Sequence, residues 1–563
     1  MNLRSPLFCQ LALIATLAPS LIPTQSAQAQ STNRQIGTPF EVTADRLVPR
    51  PPVQPCVVQL FSNFQFAHFS DSTQTFQFTP PGSCVGPWER VVFEADFSEN
   101  GGAQFDRTAS IYLANANIYF GTTPEPLATL TNTWHVERDI TAYSALLKIP
   151  QQGTIVLANC TTDCPPPFNT LNGVFTVNAS LEFYPANLNH PVERRPDVVI
   201  PLVQSNGSGG VNLPATLSSP TDQLSTTFTL PQNTEAAYLD VVSQSQSADE
   251  QWYGCFPNDQ SAINEVYGCG NTNFRETEVT IDGQPAGIAP VSPWVYTGFL
   301  PDEWMPMPGA QTLDFVPYRV NLTPFAGLLS NGQPHTIALS IFNDFGYFSA
   351  TGSLLLFLDP KFTRVSGSVT ENTLTAPNPV VTENLQGTAV VTGTINVASN
   401  RDYTITGYVN TSHGQVTTSV SQKQNFTGIQ TVDFDTVNFT VLDQNTSVEN
   451  SVASVTTVSS AAGTNVTRDY FSFPITVDFI FPTSTTFGFT VATTQKYHTN
   501  KLALHNGMEI GRSSLTNSVN ATDASPLSSS QTYTYEDTRG TIYNCEIASA
   551  NNILTSVSGG CGP

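Results

Sequence analysis

Short stretches of alternating apolar and polar residues recur along nearly the whole chain. Residues 90–97 (RVVFEADF), 174–183 (VFTVNASLEF) and 277–281 (TEVTI) each put every second side chain on one apolar face. That two-residue period is the mark of a half-buried β-strand. Gly, Pro, Asn and Asp punctuate the runs. Asp282-Gly283 and Asn331-Gly332 are hairpin dipeptides, because their residues accept the positive φ that tight turns need. The stretch from Ile140 to Lys148 alone is spaced as a helix would be, and is long enough for one or two turns. The pattern predicts an all-β protein built of sandwiches or barrels.

Three domains are expected after a leader. Residues 30–194 form a first β-sandwich, 195–360 a second, and 361–563 a C-terminal β domain. The first two share an echo: a leucine pair, Leu146-Leu147 and Leu328-Leu329, stands just before a strand. Two related sandwiches of jelly-roll type would explain it. All five tryptophans lie in the first two domains, and the third is rich in Ser, Thr, Val and Asn.

Charge narrows the partners. Of 563 residues, 44 are acidic and 21 basic, for a formal charge of −23. Such a surface repels nucleic acid and anionic membrane, so neither is an expected partner. Residues 1–29 read as a signal peptide: Arg4, an apolar run from Leu7 to about Ile22, and a small-x-small step at Ala27-Gln28-Ala29. A secreted protein is expected, extracellular or periplasmic, and a monomer. The cysteines agree with export. Eight follow the leader and fall into four close pairs, Cys56–Cys84, Cys160–Cys164, Cys255–Cys269 and Cys545–Cys561. Disulfides between them would leave no thiol for a Cys–His nucleophile.

No P-loop, dinucleotide fingerprint, nucleophile elbow or metal motif is present. Carboxylates, arginines and aromatics remain, and these suffice for acid–base hydrolysis with an activated water. Two dipeptides set a carboxylate beside an arginine where a loop enters a strand, Asp106-Arg107 and Arg275-Glu276. Taken alone, each reads more readily as a surface ion pair holding a turn. Asp249-Glu250-Gln251-Trp252-Tyr253 places acids beside aromatics in a loop next to Cys255. Exposed aromatic faces suit the C–H face of a sugar ring.

At these residues a family resemblance enters. Residues 105–113 (FDRTASIYL), 123–126 (TPEP), 134–148 (WHVERDITAYSALLK), 195–201 (RPDVVIP), 249–253 (DEQWY), 274–276 (FRE) and 318–325 (YRVNLTPF) resemble the acidic peptide:N-glycanase family, the PNGase A type, in collinear order. Residues 405–420 extend the resemblance into the third domain. It implies hydrolysis of the β-aspartylglucosaminyl amide bond that joins an N-glycan to asparagine, at acidic pH, with no metal and no cofactor. The substrates implied are N-glycosylated peptides or denatured glycoproteins. A more distant resemblance, to the peptide:N-glycanase F type, implies two tandem jelly rolls with the site at their junction. It matches Asp106 to the catalytic aspartate of that type and Glu276 to a glutamate of its second domain, and leaves its third acid, near Asn159, unmatched.

The roles that follow are these. Asp106 holds the attacking water, or contacts the first sugar while orienting it. Glu276 shares the acid–base work. Arg107 and Arg275 face the developing oxyanion. Trp252, Tyr253, Trp294 and Trp304 frame the chitobiose. Asp249 and Glu250 bond sugar hydroxyls, and Glu125 or Glu250 stands in for the missing acid. The alternative is a catalytically inactive carbohydrate-binding β-sandwich protein, and a glycosidase would use paired carboxylates too.

Overall fold

The computed structural model describes residues 34–561 apart from 167, 188–191, 262, 264–267, 297–304, 439 and 481–489. The expected leader and Trp304 lie outside the described residues.

Alternation does in space what it implies in sequence. Val91, Phe93, Ala95 and Phe97 all point into one core, where they meet Ile111, Tyr119, Trp134, Val177 and Leu181. Their strand, Trp88–Glu99, lies in a sheet ordered Cys56–Phe66, Phe175–Pro185, Trp88–Glu99, Asn132–Asp139. The other sheet is ordered Thr73–Phe78, Gln151–Leu157, Thr108–Leu113, Ala116–Thr122. Counted along the chain, the eight strands run 1-8-3-6 in one sheet and 2-7-4-5 in the other. That is the jelly-roll order.

The second unit repeats it. Ala215–Leu217, Tyr347–Leu358, Thr234–Gln246 and Tyr318–Asn321 make one sheet, which Val198–Pro201 extends. Leu224–Thr229, Pro334–Phe342, Glu276–Ile281 and Gln284–Pro290 make the other. The order is again 1-8-3-6 and 2-7-4-5. The leucine pairs sit at matching points, just before the seventh strand. The Ile140–Lys148 stretch is two 3₁₀ turns, Thr141–Tyr143 and Leu146–Lys148, and its counterpart is Thr323–Phe325 followed by one α-turn, Ala326–Leu329. Strands Thr108–Leu113 and Glu276–Ile281 are each the fourth of their unit, so Asp106-Arg107 and Arg275-Glu276 enter topologically equivalent strands.

The C-terminal region is one antiparallel sheet from Ser366–Asn372 to Ile553–Gly559, with strands as long as Val390–Thr411 and Gly414–Asp435. It shares a core with the second sandwich: Tyr403, Ile405, Phe426, Val448 and Ile475 pack with Leu322 and Phe325. Its inward face also carries buried carboxamides that bond the backbone of the other units. Gln430 Nε2 donates to Gly254 O (2.8 Å), and Gln531 Oε1 accepts from Ala44 N (2.6 Å). Residues 34–50, expected within the first sandwich, lie outside its sheets. Gly37 and Leu554 bond through their backbones, and Val48 N donates to Glu137 Oε2. This segment therefore ties the last strands to the first sandwich. All four expected disulfides are formed.

Candidate active site

Asp106 and Arg107 stand where a loop enters the strand Thr108–Leu113 of the first sandwich. Arg107 N donates to Thr123 Oγ1 (2.8 Å) and Thr123 N to Arg107 O (2.7 Å), which carries the pairing with Ala116–Thr122 one step further. Gln104 Oε1 accepts from Arg107 Nη2 (2.7 Å), while Gln104 Nε2 donates to Asn159 Oδ1 (2.5 Å) and Gly173 O (2.9 Å). Phe105 packs on Leu171 and the Cys160–Cys164 bridge. The loop around Asn159 thus supports the dipeptide. Asn159 is itself buried and spends its carboxamide on Gln104, Cys160 N, Phe66 O and Gly173 O.

The second sandwich supplies Glu250. Its strand Thr234–Gln246 ends in a 3₁₀ turn, Ser247–Asp249. In such a turn successive side chains diverge by about 120°, so the adjacent acids part. Asp249 turns inward, and Glu250 faces the first sandwich, close enough for the Asp106 charge to act on it. The junction is fixed beside them: Thr108 Oγ1 donates to Gln244 Oε1 (3.0 Å) and accepts from Gln246 Nε2 (2.9 Å). Trp294 and Tyr296 approach from the same side. Trp294 Nε1 donates to Ser245 Oγ (2.8 Å), which donates to Glu250 O (3.2 Å), and Tyr296 senses the charges of Asp106, Glu250 and Glu125.

Burial sets the electrostatics. It pushes the Asp106 carboxyl up to about 6, against the pull of Arg107. Burial, then the Asp106 charge, push Glu250 up to about 7. Among the described residues neither carboxylate has an ion-pair partner or a side-chain hydrogen bond. Two carboxyls that repel each other titrate as a pair, one ionised while the other keeps its proton. Behind Arg107 stands Glu99, which the sequence reading missed. Burial and the Glu125 charge push it up to about 9, with Arg107 opposing. Burial also lowers Arg107, against the charges of Asp106, Glu125 and Glu99. The signal for Glu99 was parity: it continues the inward series Val91, Phe93, Ala95, Phe97, and it is fully buried.

Several expected site residues lie elsewhere. Arg275 is wholly buried: Nε and Nη2 bond Asp249 Oδ1 (3.0 and 2.7 Å), and Nη1 and Nη2 bond the carbonyls of Thr272 (2.8 Å) and Gly270 (3.1 Å). Its donors are committed, so none is left for an oxyanion. Asp249 Oδ2 accepts from Phe345 N (2.6 Å) and Gly346 N (2.7 Å), so it does not reach toward a sugar. Glu276 is buried against Arg401 of the C-terminal sheet, and the charges acting on it are those of Arg401 and Glu278 rather than Asp106. Trp252 and Tyr253 are 0 % and 1 % exposed, in the core they share with Phe426, and offer no face to a sugar ring. Asp106, Arg107, Glu125, Glu250 and Trp294 are the expected residues that come together.

Among the described residues, two groups have ligand atoms close enough for a cation. In Glu94–His135–Glu137, Arg50 already bonds both glutamates; Glu235–Asp359–His413 lies where the second sandwich meets the C-terminal sheet. A cavity of about 830 Å³ runs along the seam of all three units, with Tyr318, Tyr403 and Tyr497 in its wall. It reaches Trp294 but not Asp106 or Glu250, and the carboxyl chemistry lies outside it.

Residues 46–373 match the family described as peptide N-acetyl-β-D-glucosaminyl asparaginase amidase A. The peptide-N4-(N-acetyl-β-glucosaminyl)asparagine amidase A of Prunus dulcis is 29 % identical over 401 residues. That match covers 67 % of this chain and 66 % of the relative, just under two thirds of its length. Among solved structures, PNGF-II aligns at TM-score 0.38 and 12 % identity, over 54 % of this chain and 66 % of that one. PNGase F, a glycosylasparaginase from Flavobacterium meningosepticum, aligns at TM-score 0.36 and 14 % identity, over 54 % of this chain and 96 % of that one. The first two units and the start of the C-terminal sheet, which hold the Asp106–Glu250 junction, fall within the family match, and the chain belongs to the peptide N-acetyl-β-D-glucosaminyl asparaginase amidase A family.

Proposed function

We propose that the protein hydrolyses the β-aspartylglucosaminyl amide bond of N-glycosylated peptides and denatured glycoproteins, releasing the glycan and leaving aspartate. The observation that carries this reading is that Asp106 and Glu250 lie near enough across the junction of two jelly rolls for one charge to act on the other, beside Arg107, in a chain of an amidase family. Ionised Asp106 orients a water and takes its proton as the oxygen attacks the amide carbon. Arg107 stabilises the oxyanion, where a preorganised charge helps most. Protonated Glu250 gives its proton to the departing nitrogen. Glu125 and Trp294, 8 % and 3 % exposed, stand beside the acid pair and present no open face to the sugar. Arg275, Asp249 and Glu276 hold the second sandwich's half of the junction in place.

The division of labour needs one carboxyl ionised and the other protonated. Rates should peak on the acid side of neutrality and fall above about pH 7, as Glu250 loses its proton. Secretion of a monomer fits the four disulfides, and no helix among the described residues is long and apolar enough to cross a membrane. The test is a glycopeptide digest read by mass spectrometry. Free glycan together with an asparagine-to-aspartate change supports the amidase. A GlcNAc retained on the peptide means a glycosidase, and an untouched but bound glycopeptide means a lectin-like protein.

A further inference from the structure

The buried carboxamides of the C-terminal sheet are not all alike. Gln531 holds the segment near Ala44, far from the site. Gln495, on the strand Thr490–His505, holds the segment that brings Trp294 and Tyr296 to the junction. Its Nε2 donates to Pro293 O (2.9 Å) and its Oε1 accepts from Ala310 N (2.9 Å), so one side chain ties both sides of that segment. The fit is close: a Cβ on Gly309 would lie 2.8 Å from Gln495 Oε1.

The grip continues toward the chemistry. Thr312 Oγ1 donates to Val295 O (3.0 Å), and Thr312 O accepts from Thr122 N (2.9 Å) of the first sandwich. Trp294 passes the constraint through Ser245 to the backbone of Glu250. Three units of the fold thus meet in a few residues, and the C-terminal sheet enters through Gln495.

We propose that Gln495 is a positioning residue of the active site: by bridging Pro293 and Ala310 it sets Trp294 and Tyr296 against Asp106 and Glu250. This rests on the amidase reading above. It gives the C-terminal sheet a part in catalysis that neither the acid pair nor the aromatics require by themselves. Gln531 also donates to Asn517 of its own sheet, whereas both Gln495 bonds go to the segment it orients. Gln495→Leu keeps the volume and removes both bonds. Small misplacements at a site can cost on the order of 100-fold, so kcat/KM should fall by about ten- to a hundredfold. Trp294 and Tyr296 stand beside the two carboxyls, so loosening them should admit bulk solvent and move the basic limb of the pH–rate profile toward the ordinary carboxyl range.

The experiment compares Gln495→Leu, Gln495→Glu and Gln531→Leu in the full chain. Gln495→Glu keeps the acceptor for Ala310 and loses the donor to Pro293, so it should fall between wild type and Gln495→Leu. Gln531→Leu should lower the melting temperature and leave kcat, KM and the pH profile unchanged. A second readout is amide hydrogen exchange across residues 291–296 and 305–313, expected to quicken in Gln495→Leu and not in Gln531→Leu. If Gln495→Leu and Gln531→Leu behave alike, losing stability with no shift in pH profile or local exchange, the proposal is overturned. If Gln495→Leu does not fold, Gln495→Glu decides by the same two readouts. A wild type that releases no glycan overturns the amidase reading instead, and exchange still decides whether Gln495 holds the segment.

Discussion

Asp106-Arg107 and Arg275-Glu276 are near twins in sequence and occupy equivalent places in two copies of one topology. Their fates differ completely. Arg275 and Glu276 are each fully buried and each held by a partner, Arg275 by Asp249 and Glu276 by Arg401. Asp106 and Arg107 are half-buried, and Arg107 is surrounded by more acids than it can pair: Asp106, Glu125 and Glu99. The first dipeptide therefore keeps groups available for chemistry, and the second is committed to structure. A carboxylate beside an arginine at the head of a strand does not announce chemistry. What decides is whether the rest of the fold brings each group a partner.

The largest effect should come from the unspent dipeptide. Asp106→Asn removes the group assigned to the water and should lower kcat/KM by about 10²–10⁴-fold. Melting temperature and circular dichroism should stay near wild type. Activity within about threefold, less than 1 kcal/mol in barrier, would make Asp106 structural and erase the contrast.

Breaking the spent pair should act on stability instead. Asp249→Ala leaves the Arg275 guanidinium buried without its carboxylate, a loss of about 3–5 kcal/mol for a buried pair. Urea denaturation would show it as an early midpoint. A midpoint equal to wild type would mean that the carbonyls around Arg275 suffice.

The acids held above their ordinary values make a pH prediction. Burial raises Glu99 to about 9 and Glu276 to about 8, so each binds its proton more tightly folded than unfolded. Such a group gives its full stability below an unfolded value of about 4.3, and loses it as pH rises through the folded one. His135 acts in the same direction. Burial opposes its charge, but hydrogen bonds to Asp96 and Glu137 raise it to about 9, and its contribution fades as pH climbs from about 6.5 toward that value. The melting temperature should therefore drop by several degrees between pH 5 and pH 9, where each kcal/mol is worth about 2–4 °C. Glu99→Gln should flatten the curve. A protein more stable at pH 9 than at pH 5 would contradict the assignment.

The smallest effect is expected at Glu276. Near pH 6 its carboxyl, raised by burial against the pull of Arg401, is largely protonated already, and a carboxamide copies it. Glu276→Gln should leave glycan release within about threefold, as changes that preserve contacts do. A loss as large as that of Asp106→Asn would return Glu276 to the chemistry and make the two dipeptides functional twins after all.

The sequence by itself determined the strands, because a two-residue period in the Trp88–Glu99 strand or Glu276–Ile281 leaves a chain few other ways to bury one face. It determined the disulfides, whose partners lie 4 to 28 residues apart. It determined that Asp106-Arg107 merits notice, though only the resemblance separated that dipeptide from a surface ion pair. The neighbours across the junction were decided by tertiary structure alone. Glu250 meets Asp106 from a residue 144 places away, and Asp249, next to it, turns to Arg275 because a 3₁₀ turn splits the two. Arg401 claims Glu276 from 125 residues away, and Phe426 claims Trp252 for the core. Local pattern governs what each segment can form, since backbone geometry acts between near neighbours. Charge and burial act through space, so which acid keeps its proton and which aromatic keeps an open face are settled only when distant segments meet.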